Sequence, residues 1–462
     1  MYDYDLLVIG AGPGGQTAAL RAAKLGKKVA VAEAREPGGT CVNRGCVSTK
    51  TLLHSSSLYR AAAEGAAVGV HAEGLCVNLG EIFQNKLRVA QTLSQGVETM
   101  FKSAKIALLR GRATILAPHR VRIVGADGTE SEVSAEAILV AAGAAPVRLP
   151  LPGMDLPGVI TSEELLAGRE ELYRSLVIIG GGVIGIEFAC FFSDLGCEVT
   201  VLEGLDRLLP MLDRELGQNL ALVLKKKGVR VCTGALVERA EQTDGGLRVH
   251  FTVKGKPDFA EGEAVLCAVG RRAAWEGIFA PGLQPELDGR ILKVNERYET
   301  SIPGVYAIGD VASQTQLAHV AAAQGQAFAE LFCGQESRVD MRIVPSCVYC
   351  RPEIAVVGLT DAEAKAAGIP VKTGKCVLGG NARTLIEDPG RSFMKVLAHA
   401  ETGEILGAQL MCLGAPDMIS QISEAIANHM TPRQLLLAMR PHPTFEEALS
   451  EALEDLASKL ER

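Results

Sequence analysis

Cys41 and Cys46, separated by four residues in Gly38-Gly39-Thr40-Cys41-Val42-Asn43-Arg44-Gly45-Cys46, are the residues of this chain best placed by type and spacing to do chemistry. A thiol reacts as its thiolate, and a helix N-terminus lowers a cysteine pKa. The pair follows a glycine-rich turn and stands where a helix should begin. On an ideal helix, positions five apart are rotated by roughly 140° with Cα atoms ~8–9 Å apart. A disulfide spans at most roughly 7 Å, so a bridge here requires the backbone to bend, and Gly45 is where bending costs least. A bridge of that kind is catalytic or regulatory rather than structural. Paired cysteines also bind zinc, but no second Cys/His pair follows at ligand spacing, and no metal is expected.

Two further groups could serve such a pair. Lys50 is one helical turn beyond Cys46 and shares its face; a cation there stabilises a thiolate, although a lysine is more often simply solvated. Of eight histidines, His442 alone lies between prolines, in Pro441-His442-Pro443, with Glu447 shortly after. An imidazole, with an ordinary pKa of about 6.5, takes a proton from a thiol at neutral pH. A nearby carboxylate fixes its tautomer and stabilises the imidazolium. The plainer role for His442 is to precede and cap a final helix over 445–460. Cys347-x-x-Cys350 is no second redox pair on this reading, because 343–349 has strand character and positions three apart on a strand point to opposite faces.

The elements that must position these groups are written twice. Leu6-Leu7-Val8-Ile9 is an apolar strand leading into Gly10-Ala11-Gly12-Pro13-Gly14-Gly15, an alanine-rich helix, and a second strand ending at Glu33. Leu176 to Ile179 leads into Gly180-Gly181-Gly182-Val183-Ile184-Gly185, a helix, and a strand ending at Glu203. In both copies the acid lies 23 positions beyond the first glycine. Such glycines allow the turn, the approach of a pyrophosphate and close helix–strand packing, and the helix N-terminus attracts the phosphates. The acid accepts from ribose hydroxyls. One copy alone is a weak signal; two with equal spacing indicate two dinucleotide sites.

Each copy closes on an apolar strand ending at glycine, Gly143 in the first and Gly270 in the second. Pro146, Pro150, Pro152 and Pro157 mark a linker between them. The expected organisation is an α/β chain with dinucleotide domains over 1–145 and 146–269, a central segment over 270–340 that packs with the first, and an α+β interface domain over 341–462.

The bulk numbers exclude other classes. A formal charge of −7 gives no footprint for nucleic acid or an anionic membrane. The longest apolar run, Leu176 to Ile186, is interrupted by glycines and too short to span a membrane. The chain opens on Asp3-Tyr4-Asp5 and runs straight into a strand, so no signal peptide or fused domain is expected ahead of it. Twelve cysteines without such a signal point to a reducing, cytoplasmic setting, where a disulfide would be catalytic.

Taken together, these motifs resemble the flavoprotein disulfide reductases, class I of the pyridine nucleotide-disulfide oxidoreductases, and most closely the dihydrolipoamide dehydrogenase branch. The resemblance spans essentially the whole chain. It rests on the Cys41…Cys46…Lys50 stretch, Gly180 to Glu187, Val269-Gly270-Arg271-Arg272, Thr300 to Asp310, and His442 to Glu447. It implies FAD on the first domain, held by Gly10, Gly12, Gly15, Glu33, Lys50, Gly143, Asp310 and Ala318. It implies NAD on the second, held by Gly182, Gly185, Glu187, Glu203 and Gly270. By the same resemblance Cys46 is the flavin-proximal thiol, Cys41 exchanges with substrate, Glu187 pairs with Lys50, and His442 with Glu447 acts across a homodimer interface on the partner subunit's disulfide. The implied reaction oxidises the dihydrolipoyl group of a protein from a 2-oxoacid dehydrogenase complex or a glycine cleavage system, with NAD as acceptor. An NAD(P)H-dependent reductase of another disulfide is the alternative; Glu203, followed by Gly204-Leu205 rather than arginines, disfavours a 2′-phosphate.

Two departures stand out. Ser48 occupies a place where the family usually has proline, which predicts a slightly less rigid turn. Ala273-Ala274-Trp275 replaces the usual proline and asparagine after the arginines.

Overall fold

The computed structural model describes residues 1–337, 339–387 and 390–461; Arg338, Asp388, Pro389 and Arg462, which fall within the two last expected segments, lie outside the described residues. In the first unit, strands Ala107–Arg110, Val29–Glu33, Tyr4–Ile9 and the C-terminal half of Glu130–Val140 run parallel. Val305–Ala307 adds to the same sheet beside Glu130–Val140, in register Val305 to Ile138. Leu6, Leu7, Val8, Ile138 and Leu139 are fully buried. That is why these strands read as unbroken apolar runs: a parallel sheet is covered on both faces. The N-terminal half of Glu130–Val140 instead pairs antiparallel with Arg120–Val124, which turns back on Arg112–Ala117.

Helix Pro13–Lys24 follows the first glycine loop and packs on helix Ala318–Phe332. Glycines set that approach: a Cβ on Gly325 would sit 2.3 Å from the Gly14 carbonyl oxygen.

The second unit repeats the first more compactly. Five parallel strands are ordered Arg230–Thr233, Glu198–Glu203, Ser175–Ile179, Ala264–Cys267 and Val159–Thr161. A three-stranded antiparallel meander spans residues 235–262 before the chain returns to the sheet.

The C-terminal unit is a five-stranded antiparallel sheet in the order Ser346–Val348, Ile354–Gly358, Ile405–Met411, Phe393–His399 and Val371–Val377. Strand alternation divides its faces. Ala355, Val357, Met394 and Val396 join helices Ala415–Ala427 and Glu446–Leu460 in one core. Val348, Ile354, Phe393 and Met411 join Phe188 and Phe191 of the helix Val183–Asp194 in another. The C-terminal sheet is thereby anchored on the second unit. No helix among the described residues is long and apolar enough to cross a membrane.

Candidate active site

Both glycine loops open onto one cleft of about 2870 Å³. Its walls include Gly10, Gly12 and Glu33 from the first unit and Gly180, Gly182 and Glu203 from the second; Cys41, Cys46, Lys50 and Glu187 also line it.

The loops are superimposable in their logic. Gly10 and Gly180 have φ of 107° and 113°, in the region that glycine adopts freely, and a Cβ on them would strike the carbonyl oxygens of Ala141 and Ala268 at 2.5 and 2.4 Å. Gly15 and Gly185 lie against Gly10 O and Gly180 O, where a Cβ would come within 2.0 Å. Gly12 and Gly182 differ: a Cβ there would meet nothing within 4 Å, and both face the cleft. They cap helices Pro13–Lys24 and Val183–Asp194, whose first turns carry no acidic residue and no side-chain cap. Unsatisfied N–H groups at a helix start, beside open space and free of anionic side chains, suit a pyrophosphate.

The acids complete each site. Glu33 accepts from Ala11 N at 2.7 Å and Arg35 N at 2.8 Å. Glu203 accepts from Gly181 N and Leu205 N at the same two distances. A carboxylate has about four lone-pair positions, so each keeps capacity for a ribose hydroxyl. These features fit two dinucleotides, and the two cysteines line the same cleft.

Cys41 and Cys46 do not share a helix. Helix Gly39–Arg44 ends at Gly45 (φ −151°, ψ −119°), and a new helix, Cys46–Glu64, begins. The expected bend is therefore a complete break. A Cβ on Gly45 would lie 2.9 Å from Thr40 O, so glycine is what permits this fold-back. The turn also rests on the first dinucleotide loop: Gly38 N donates to Ala11 O at 2.9 Å, and a Cβ on Gly39 would be 2.8 Å from Gly12 Cα.

The expected loss of rigidity at Ser48 is offset. Its buried hydroxyl lies 3.0 Å from both Val42 O and Asn43 O, tying the end of the first short helix to the start of the second. A hydrogen bond does here what a ring would do by fixing φ.

The two sulfurs are unbridged in this structure, within hydrogen-bonding reach of each other. Cys41 donates to Cys46, and that hydrogen bond, with help from Lys50, brings the Cys46 thiol down to about 7. Cys41, as the donor and partly buried, is pushed up. Burial raises the Cys190 thiol to about 11, as befits a small buried hydrophobe, and raises the half-buried Cys347 to about 11 as well. Cys350 is buried, with its sulfur 3.1 Å from Pro352 O.

Lys50 and Glu187 join the two units. The ammonium donates to both carboxylate oxygens at 2.8 Å, with the Glu187 side chain 4% exposed. A second pair follows one face further along the same helices, Arg60 Nη1 to Asp194 at 2.9 and 3.1 Å. These pairs strap helix Cys46–Glu64 alongside helix Val183–Asp194.

Asp310 sits in the short turn Gly309–Val311 and lines the cleft. Burial pushes its carboxyl up while the Arg271 guanidinium opposes the shift. A hydroxylated ligand donating to it would favour the ionised form. Gly143, Gly270 and Ala318 also line the cleft. The departure at Ala273-Ala274-Trp275 forms part of a short ladder: Arg271–Ala273 pairs with Ala144–Pro146, Ala274 N donates to Gly143 O at 3.0 Å, and Trp275 Nε1 donates to Arg290 O at 3.2 Å.

His442 and Glu447 meet, with Nδ1 2.8 Å from Oε1, while Glu447 Oε2 accepts from Thr444 N at 2.9 Å. The Thr444 N–H, then His442, holds the Glu447 carboxyl below its usual range. This pair lies outside the cleft of its own chain, and the His442 side chain is 72% exposed. Helix Glu446–Leu460 starts one residue after the expected position.

One residue at the site escaped the sequence reading. Tyr349 N donates to Glu187 Oε1 at 3.2 Å, and its ring centroid is 4.6 Å from Lys50 Nζ. Nothing local marks it, because both its partners come from other units.

Comparison with known proteins gives consistent results. Residues 4–325 match the family model described as pyridine nucleotide-disulphide oxidoreductase, and residues 344–453 match the dimerisation domain of the same family. A dihydrolipoyl dehydrogenase of Bacillus subtilis (strain 168) is 37% identical over 461 residues, covering 97% of each chain. Dihydrolipoyl dehydrogenase 3 of Pseudomonas aeruginosa PAO1 is 35% identical, covering 99% of this chain and 98% of that one. Among solved structures, LpdA from Mycobacterium tuberculosis superposes with a TM-score of 0.88 at 29% identity, covering 97% and 99% of the two chains. The HOCl-induced flavoprotein disulfide reductase RclA from Escherichia coli gives 0.85 at 28% identity, covering 98% and 99%.

Proposed function

Since this chain belongs to the pyridine nucleotide-disulphide oxidoreductase family, we propose that it is a dihydrolipoyl dehydrogenase, oxidising protein-bound dihydrolipoyl groups to lipoyl groups while NAD becomes NADH. The observation that carries this reading is the single cleft lined by both dinucleotide loops and by a cysteine pair whose Cys46 thiol is lowered to about 7, the second loop closed by Glu203. Full-length relatives with that name support it.

The residues divide the work. A dihydrolipoyl thiolate attacks the oxidised Cys41–Cys46 pair at Cys41, and its second thiol completes the exchange; the substrate leaves as a disulfide and the enzyme keeps the two electrons as a dithiol. FAD bound by the first unit supplies the two-electron relay to nicotinamide that side chains lack. Cys46, lowered to about 7 and lining the cleft, is the thiol of the pair held as the thiolate. Lys50, clamped by Glu187, keeps a positive charge next to that sulfur. Gly12 and Gly182 leave room for the pyrophosphates, and Glu33, Asp310 and Glu203 receive hydroxyls.

His442, oriented by Glu447, takes the substrate thiol's proton. Because the pair stands outside its own cleft and the C-terminal unit matches a dimerisation domain, it serves the cysteines of a second copy in a homodimer. The macromolecular substrate is a lipoyl-bearing protein of a 2-oxoacid dehydrogenase complex or of glycine cleavage.

The deciding experiment is steady-state turnover of dihydrolipoamide with NAD against NADP, alongside oxidised glutathione with NADH and NADPH. Turnover of dihydrolipoamide with NAD is expected. Efficient reduction of glutathione with no lipoamide activity would overturn the substrate assignment.

A further inference from the structure

The C-terminal unit contributes Ser346, Cys347 and Tyr349 to the wall of the cleft, and Tyr349 is the one that contacts both Lys50 and Glu187. Tyr349 follows the strand Ser346–Val348 and faces the cleft. Its backbone N–H donates to Glu187 Oε1, and the face of its ring lies over the Lys50 ammonium, 4.6 Å from Nζ to centroid. Lys50 Nζ is thus bounded by a bidentate carboxylate and by a π face. A ring face attracts a cation electrostatically, more strongly where water is displaced. A lysine has four rotatable stem bonds, and one carboxylate does not determine where the ammonium sits about it. The ring removes one side.

We propose that Tyr349 is a positioning residue for Lys50: the ring confines the ammonium to the side of Glu187 that faces Cys46, so that the C-terminal unit sets the electrostatics of the thiol pair. This rests on the reading of Cys46 as the thiolate-bearing member of that pair. The packing favours a positional role over a core role, because Tyr349 is still 36% exposed and lines the cleft. The groups facing Cys46 are Cys41, Lys50 on its own helix and Glu187 from the second unit. Of these, Lys50 is the cation, and Tyr349 touches both it and its counter-ion.

The test uses the FAD-loaded Cys41→Ser enzyme, in which the long-wavelength absorbance of the Cys46 thiolate against bound flavin is followed against pH. Adding Tyr349→Phe or Tyr349→Trp, which keep a π face, leaves the titration close to the parent. Adding Tyr349→Leu moves the midpoint up and lowers the thiolate signal near neutral pH by about two-fold or more. With Cys41 intact, the same Leu variant loses ~three- to ten-fold in kcat with little change in KM for NAD. In a Lys50→Met background, Tyr349→Leu no longer shifts the titration. A Leu variant that titrates like Phe, or a shift that persists without Lys50, overturns the proposal. Should the Leu variant bind FAD poorly, the Phe and Trp variants decide the matter: Trp, the stronger cation binder, titrates at or below Phe, and Trp above Phe overturns it. The titration needs no lipoyl substrate, so its outcome is separate from the substrate assignment.

Discussion

Glu33 and Glu203 occupy the same position in two copies of one unit. Each accepts from the N–H of the second residue of its glycine loop, Ala11 or Gly181, at 2.7 Å, and from the N–H two residues further along its own chain, Arg35 or Leu205, at 2.8 Å. The carboxylate therefore shapes the loop that holds the phosphates while keeping lone pairs for a ribose. Nucleotide preference and loop geometry are linked through one side chain in each unit.

From this it follows that Glu203→Ala weakens NAD binding by about ten-fold or more, since a charge-assisted hydrogen bond is lost along with the carboxylate that accepts from two backbone N–H groups. The gap between NAD and NADP narrows, because the carboxylate no longer repels a 2′-phosphate. Binding of both nucleotides by isothermal titration checks this. A wild-type enzyme that already prefers NADP would contradict the role given to Glu203.

The thiol roles separate by substitution. In Cys41→Ser the serine hydroxyl still donates to Cys46, so a thiolate persists beside bound FAD and a long-wavelength band appears without turnover. With the Cys46 thiol near 7, the band grows as pH rises through neutrality and fades below it, because the thiolate is the deprotonated form. Cys46→Ser shows no band at any pH. A band in Cys46→Ser instead would reverse the two assignments.

Removing one member of the Lys50–Glu187 pair has unequal consequences. Lys50→Met leaves a nearly buried carboxylate with only the Tyr349 N–H, at a cost of about 2–3 kcal/mol. Glu187→Gln leaves an ammonium whose side chain is 31% exposed and able to turn to water, at about 1 kcal/mol or less. Denaturant unfolding of the two holoenzymes should rank them in that order; equal losses would mean that Glu187 is not the desolvated partner.

Ser48→Ala removes the donor shared by Val42 O and Asn43 O. A loss of about 1 kcal/mol is expected, with the Cys41–Cys46 turn more readily alkylated in the reduced enzyme. Thermal melting and iodoacetamide kinetics read the two effects, and unchanged alkylation would show that the hydroxyl does not order the turn.

His442→Gln should lose most lipoamide turnover while keeping FAD and its reduction by NADH, since the imidazole serves the thiol half of the reaction. Mixing that variant with Cys41→Ser should restore partial activity, because one of the two sites in a heterodimer is then intact. If subunit exchange is demonstrated and no activity returns, the site is not shared between copies.

The sequence alone determined the repeated strand–glycine turn–helix units, their acids and the reactive cysteines. These are local features: a positive φ at Gly10 and Gly180, a close approach at Gly15 and Gly185, and an acid at the end of the next strand all follow from residues within one supersecondary unit. Tertiary structure decided what lies between the units. The break at Gly45 arises because Gly38 and Gly39 rest on the first loop, so the two cysteines belong to separate helices. The pairing of Lys50 with Glu187 was legible only through family resemblance, and the position of Tyr349 over that pair was not legible at all. Such contacts depend on how helix Cys46–Glu64, helix Val183–Asp194 and the C-terminal sheet dock on a shared core, which no local periodicity encodes. His442 stands apart from the cleft of its own chain for the same reason: the direction a segment faces is set by the packing of its whole unit, here helix Glu446–Leu460 against the C-terminal sheet.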